Sequence, residues 1–256
     1  DLDKGKAEYE YELRKLELRV EDLKRYGIHT VLIEKYEEIT ELLNELNRRS
    51  FSNNIFISGS AVEGTQEFTL ERIITFSRKL GSEVINRGYN IVSGFGLGIA
   101  ADILVGALEG AYLSPTNMRE RLILRPFPRK VDLDKKKRVY KEWRYSMISF
   151  AGFSIFIAGN KTKPDNPEKV IIGDGVLEEF EIGTTERLHS YPIPIGATGF
   201  AAKKIWEIVN AKQDKYFDEI NVSTEMDIIG DENRPDGEIL DAIFKIVDKV
   251  RSGRIE

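Results

Sequence analysis

"NIFISGSAVEGTQEFTLERIITFSRKLGSEVINRGYNIVSGFGLGIAAD", residues 54–102, holds two short apolar runs, NIFISG and YNIVSG, on either side of a longer polar stretch. The runs are rich in β-branched and aromatic residues and each stops at a glycine, as buried strands do. Between them FTLERIITFSRKLGSEVINRG reads as an amphipathic helical stretch. A strand, a helix and a second apolar strand make a parallel crossover unit. The pattern continues with RLILRPF, FSIFIAG and YPIPIGATG as further strands, AADILVGALEGAY as a second helix and DGEILDAIFKIVDKVRSG as a last one covering one face. The expected fold is α/β: a doubly wound, Rossmann-like, mostly parallel sheet with helices on both faces. Such sheets bind ligands beyond the carboxyl ends of their strands, and functional residues are sought there.

Upstream the pattern differs. Residues 1–24 are charged, with Leu13, Leu16, Val20 and Leu23 at helical spacing, which predicts an amphipathic helix packed on a neighbour. HTVLIE reads as a short strand and YEEITELLNELNRR as a helix with Ile39, Leu42, Leu43 and Leu46 on its apolar face; SFSNN then marks a boundary. The domain expectation is residues 1–50 as a remnant or linker and residues 51–256 as the main domain. The chain starts at Asp1 rather than methionine, as a fragment of something longer would.

The 256 residues carry a net charge of −5. Generic nucleic-acid binding needs a surplus of Lys and Arg, so it is disfavoured, and an anionic ligand must be held by a local cluster. No apolar run reaches a membrane span and no secretion signal opens the chain, so the expected location is cytoplasmic. There is no cysteine, and His29 and His189 are the two histidines; thiolate chemistry, disulfides and a histidine-rich metal centre are disfavoured.

Chemistry is sought at the strand ends. In SGSAVEG, Gly59 offers unusual backbone angles and Ser60 a hydroxyl and an amide for a phosphate or ribose. In SGFGLGIAAD, Gly94, Phe95, Gly96 and Gly98 lead into a helix whose free amides favour an anion. The spacing is G-x-G-x-G rather than the dinucleotide G-x-G-x-x-G, and the next strand carries Arg125 where an acid for the ribose is expected, so a redox NAD site is disfavoured. Residues 119–144 hold eleven Lys or Arg against four acids, mostly a solvated face. Arg144 stands apart, on a helix turning apolar as it approaches a core strand. It is either half of a buried structural pair or a fork for a phosphate. Lys161 follows FSIFIAG, while Glu178 and Glu179 lie in the first turns of the helix that starts at GDGVLEE. Capping explains those acids; a ligand with both ribose and phosphate explains them together with Lys161.

The order SGFGLGIA, Arg144, strand, GDGVLEE resembles the lysine-decarboxylase-like LOG pattern. More closely, KEWRYSMISFAGFSIFIAGNK and GVLEEFEIGTTERLHSYPIPIGATGFAA are similar to the SLOG (STALD) sensor domain of Thoeris antiphage-defence proteins, a branch of the LOG/DprA-like superfamily, over residues 51–256. LRVEDLKRYGIHTVLIEKYEEITELLNEL resembles the tail of the sirtuin-like NADase domain that precedes this sensor. The resemblance implies a bacterial regulatory domain without a cofactor, binding a cyclic ADP-ribose isomer made by a TIR enzyme. It implies homo-oligomerisation, as a dimer or tetramer, and a sirtuin-like NADase domain in the same polypeptide. Arg144 and Lys161 match the phosphate-binding pair and Glu179 or its neighbour Glu178 the ribose-binding acid; Gly59, Ser60, Gly94, Phe95, Gly96, Gly98 and Thr198 complete the expected ligand-binding set. No catalytic or metal residue is implied for this chain, which should bind the signal without cleaving NAD. The alternative is a LOG-like nucleotide phosphoribohydrolase; against it, GNK and an insertion stand where that pattern has PGG. Single-strand binding, as in DprA-type relatives, is disfavoured by the acidity.

Overall fold

The computed structural model describes residues 2–26, 28, 30, 33, 35–36, 38–40, 42–43, 51–94, 98–113, 121–128 and 130–253. Two compact units follow one another along the chain, Asp1–Leu46 and Asn47–Glu256. In the first, α1 (Leu2–Arg25) is the expected helix, and Leu13, Leu16 and Leu23 on its stripe keep more than a third of their surface exposed. Residues 36, 38–40 and 42–43 are helical. Most of the HTVLIE strand expectation, His29 included, and residues 37, 41 and 44–49 of the following helix lie outside the described residues.

The second unit alternates strand and helix: β1 (Asn54–Ser60), α2 (Leu70–Asn86), β2 (Asn90–Ser93), α3 (Ala100–Leu113), β3 (Leu122–Leu124), α4 (Leu133–Ile148) and β4 (Phe153–Ala158). After β4 come β5 (Asn160–Lys163) and β6 (Asn166–Ile172), then α5 (Asp174–Gly183) and β7 (Tyr191–Ile195). A 3-10 turn (Gly196–Thr198), α6 (Phe200–Asn210), α7 (Gln213–Phe217), α8 (Ser223–Gly230) and α9 (Asp236–Ser252) complete it. Five strands form one parallel sheet in the order β3-β2-β1-β4-β7. The α/β expectation holds. The order reverses between β1 and β4, and at that switch point the chains leave in opposite directions and open a crevice.

Alternation along β1 splits the core. Ile55 and Ile57 join the large cluster with Phe76, Leu80, Ile205, Ile243 and Val247, whereas Phe56 joins a smaller one with Val92, Met147, Ile148 and Ile182. Side chains at successive strand positions face opposite ways, so residues from α2, α6 and α9 pack in the first cluster and residues from α4 in the second, while α5 contributes Val176 and Phe180 to the first and Ile182 to the second. Each fully buried Ile or Phe contributes about 1.5–3 kcal/mol by leaving water, which fixes α4 and α5 over the site-forming end of the sheet.

Two elements depart from the sequence reading. RLILRPF narrows to the three residues of β3, an edge strand that ends just before Pro126 and Pro128; proline donates no ladder hydrogen bond and belongs at such edges. The polar stretch after β4 is ordered as an antiparallel pair, with Asn160 opposite Ile172 and Lys161 opposite Ile171. No described helix is long and apolar enough to cross a membrane.

Candidate functional site

The carboxyl ends of β1, β2 and β4 meet α4 and α5 around one guanidinium. Arg144, near the end of α4, donates from Nη1 to Glu178 Oε2 at 2.6 Å and from Nε to Glu179 Oε1 at 3.2 Å. Its plane lies over Phe127, 5.3 Å from the ring centroid, and among the described residues Nη2 has no protein acceptor. Gly175 explains how it fits: a Cβ there would stand 2.7 Å from Nη2, so a larger residue would push the guanidinium off the first turn of α5. Of the two readings left open for Arg144, the structure holds the ion pair.

Glu179 is buried. Its second oxygen accepts from Ser58 Oγ at 2.5 Å. Burial pushes its carboxyl above the ordinary carboxylate range; the Ser58 and Arg144 hydrogen bonds pull it back only in part, and Glu178 beside it adds to the rise. Glu178 is more exposed, with 30% of its side chain accessible against 11% for Glu179. Ser58, Gly59, Ser93, Gly94, Phe127, Met147 and Glu179 are among the residues lining a cavity of about 50 Å³, room for a water-sized occupant.

The remaining candidates divide. Lys161, the second residue of β5, donates to Asp174 Oδ2 at 2.9 Å, an exposed pair at the start of α5. Gly59 is not in a left-handed turn as expected. It is a residue of β1, and glycine is required because a Cβ would come within 2.4 Å of Ile157 O on β4. Ser60 spends its hydroxyl on Asn160 O at 2.8 Å. Gly98 has φ +106, and a Cβ there would meet Ala61 N at 3.1 Å, so the β2–α3 turn presses on the loop after β1. Phe95 and Gly96 lie outside the described residues. Thr198, expected at the ligand, is fully buried; its hydroxyl accepts from Ala158 N at 2.7 Å and donates to Ile195 O at 2.6 Å, locking the ends of β4 and β7.

Three contributors escaped the sequence reading. Ser58 follows the apolar Ile55, Phe56 and Ile57 in β1, and a hydroxyl at that buried position is the signal that marks it. Asn160 is fully buried, accepting from Val62 N and donating to Glu63 O, each at 2.8 Å, so it shapes the loop after β1. Asp174, the first residue of α5, is the third, and it receives Lys161. A larger cleft, about 320 Å³, opens elsewhere, among Thr65, Gly199, Lys203 and Gly230–Asn233. There Lys203 faces the Trp206 ring, beside Asp231 and Glu232. Among the described residues no group of three or more His, Cys, Asp or Glu is placed to hold a metal.

Comparison with known proteins places this geometry in a lineage. The chain is 38% identical over 216 residues to the NAD(+) hydrolase ThsA of Bacillus cereus (strain MSX-D12), which covers 84% of this chain and 44% of the relative. It is 36% identical to the ThsA of Cytobacillus dafuensis over 98% of this chain and 51% of the relative. The ThsA of Enterococcus faecium is 35% identical over 82% and 42%. The chain thus spans about half the length of these relatives. Residues 38–250 match the model of the Sir2- and TIR-associating SLOG family, and with a match over most of its length the chain belongs to that family, STALD.

Proposed function

We propose that residues 51–256 are a regulatory sensor that binds a cyclic ADP-ribose isomer, made by a TIR enzyme, in the crevice between β1 and β4. In the same proposal, binding switches on an NAD-depleting domain of the same polypeptide in antiphage defence. The observation that carries the reading is the gathering of Arg144, Glu178, Glu179 and Ser58 at the switch point of the sheet, where a ligand of this fold class belongs. A cyclic diphosphate with two riboses needs a cation, hydroxyl-accepting carboxylates and close backbone, and that crevice offers each. The relatives' printed name, NAD(+) hydrolase, and the family's association with Sir2 and TIR proteins support the signalling context.

In this reading Arg144 meets a phosphate, with Lys161 reaching the second from β5, and Glu179 receives ribose hydroxyls. Charge-assisted hydrogen bonds contribute about 1.5–3 kcal/mol each, enough together to offset the entropy of association at micromolar affinity. A nucleotide needs several hundred Å³ against the roughly 50 Å³ present, so entry requires side chains of α4 and α5 to part. Signalling further requires that the bound form prefer one subunit arrangement, which in this proposal is a dimer or tetramer of bacterial cytoplasmic sensors.

Calorimetric titration with cyclic ADP-ribose isomers, ADP-ribose, NAD and AMP tests this. One cyclic isomer should bind tightest, and Arg144→Ala should weaken it at least about tenfold, the loss of one charged contact. Equal affinity in Arg144→Ala would move the site elsewhere. A buried glutamate with a raised pKa beside an arginine also suits general acid chemistry, so the second reading is a nucleotide phosphoribohydrolase. Release of free base from a nucleoside monophosphate would select it.

A further inference from the structure

Both candidate cations are held by one element. Arg144 on α4 is paired with Glu178 and Glu179, Lys161 on β5 with Asp174, and all three acids belong to α5. Asp174 and Glu178 are four residues apart and therefore share a helix edge. The apolar side of the same helix, Val176, Phe180 and Ile182, is buried in the core, so the acidic edge is not what anchors it. The guanidinium lies against the first turn, where Gly175 makes room for it. A cation gains nothing from the positive end of a helix dipole; the carboxylates hold it there, in a place where an oxyanion would be favoured by the dipole and by the cations together.

The two glutamates are not equivalent. Glu179 is buried and also held by Ser58, whereas Glu178 is more exposed and among the described residues has Arg144 as its partner. Glu178 is the carboxylate that can leave without stranding a buried charge.

We propose that the acidic edge of α5 is an internal competitor for the anionic ligand: Glu178 fills the position on Arg144 that a ligand phosphate takes, and its displacement breaks one of the two ion pairs that join α5 to α4, Glu179 keeping the other. This rests on the reading of the crevice as a nucleotide site and adds its regulation. The competitor keeps affinity below what the cations alone would give. It also makes occupancy and the Glu178–Arg144 pair mutually exclusive, which is the differential contact that a switch requires.

The test uses the full chain, its Glu178→Gln and Asp174→Asn variants, and Arg144→Ala as the control, with two probes: cyclic ADP-ribose isomers and inorganic pyrophosphate. Glu178→Gln keeps the shape of the side chain and removes its charge. It should tighten binding of both probes by at least about threefold, the scale of one partly exposed ion pair, with unchanged melting temperature within a few degrees. Asp174→Asn should act in the same direction more weakly, because its pair with Lys161 is exposed. Weaker binding in Glu178→Gln would mean that Glu178 grips the ligand, and unchanged binding that it does not compete; either overturns the inference. If no cyclic isomer binds but pyrophosphate binds more tightly to Glu178→Gln, the competitor stands and the ligand assignment falls. If a cyclic isomer binds wild type and Glu178→Gln gains nothing, only the competitor falls. Absence of binding by both probes to every variant removes both.

Discussion

Glu179 concentrates three demands in one carboxylate: it closes an ion pair with Arg144, accepts from Ser58, and does so out of water. Its folded pKa is raised, chiefly by burial, so the native state holds this proton more firmly than the unfolded chain does. The linked stability is full below the unfolded value and is lost as pH rises through the folded one. Denaturant titrations of wild type and Glu179→Gln at pH 4.5 and pH 8 should therefore show wild type gaining on the variant at the lower pH. A difference independent of pH would mean that Glu179 has an ordinary pKa. At this scale the sequence was informative about charge and silent about geometry. Arg144, Glu178 and Glu179 stood out as charges near core elements. That they satisfy one another depends on how α4 and α5 cross, which no local spacing encodes. Ser60 and Thr198 show the same limit: each hydroxyl promised a ligand contact and each is engaged by backbone, Asn160 O in one case and the ends of β4 and β7 in the other.

Among elements, the strands most legible in the sequence are those buried on both faces. β1 and β4 read as continuous apolar runs because a central parallel strand is covered above and below, and β7 does so although it ends the sheet, because all five of its residues are buried. The β5–β6 pair carries Lys161, Lys163, Glu168 and Lys169, has no apolar alternation, and read only as a polar excursion; its order comes from pairing and from its junction with β4. Asn160 ties that junction to the loop after β1 through two side-chain bonds to Val62 N and Glu63 O. Asn160→Ala would leave buried polar groups without partners, at about 2 kcal/mol or more. Differential scanning calorimetry should register a lower melting temperature, and affinity for the cyclic isomer should fall because the loop that follows Gly59 and Ser60 loses its brace. A variant as stable as wild type would show that water replaces the amide without loss.

Over the whole second unit, the last helix closes back on the first crossover. Asp236 at the start of α9 binds Arg72 and Lys79 of α2, each at 2.9 Å. Burial alone would raise the Asp236 pKa, but the bonds from Lys79 and Arg72 outweigh it and hold it below its ordinary value. Such a group adds stability above the unfolded pKa and loses it as pH falls through the folded one. Asp236→Asn should accordingly cost about 1 kcal/mol near neutrality, discounted because Lys79 is half exposed, and the gap between variant and wild type should close in acid. A gap that persists at pH 3 would assign the effect to packing instead. The composition had already set the scale of this unit, since alternating strands and helices of this number enclose one two-sided core, but which helix locks the ends together follows only from the tertiary pairing.

The antiparallel pair that leaves β4 returns to where it began: Gly173 N donates to Gly159 O at 2.8 Å, and Asn160 lies opposite Ile172. A projection whose two feet are stitched together transmits little of its own length to what stands beneath it. Residues added or removed at its tip, around Pro164 and Asp165, therefore leave the seat of Arg144 where it is, and counting residues across this segment says nothing about separation in space. The peripheral arm is in this sense a free parameter of the architecture, open to remodelling while the crevice keeps its shape.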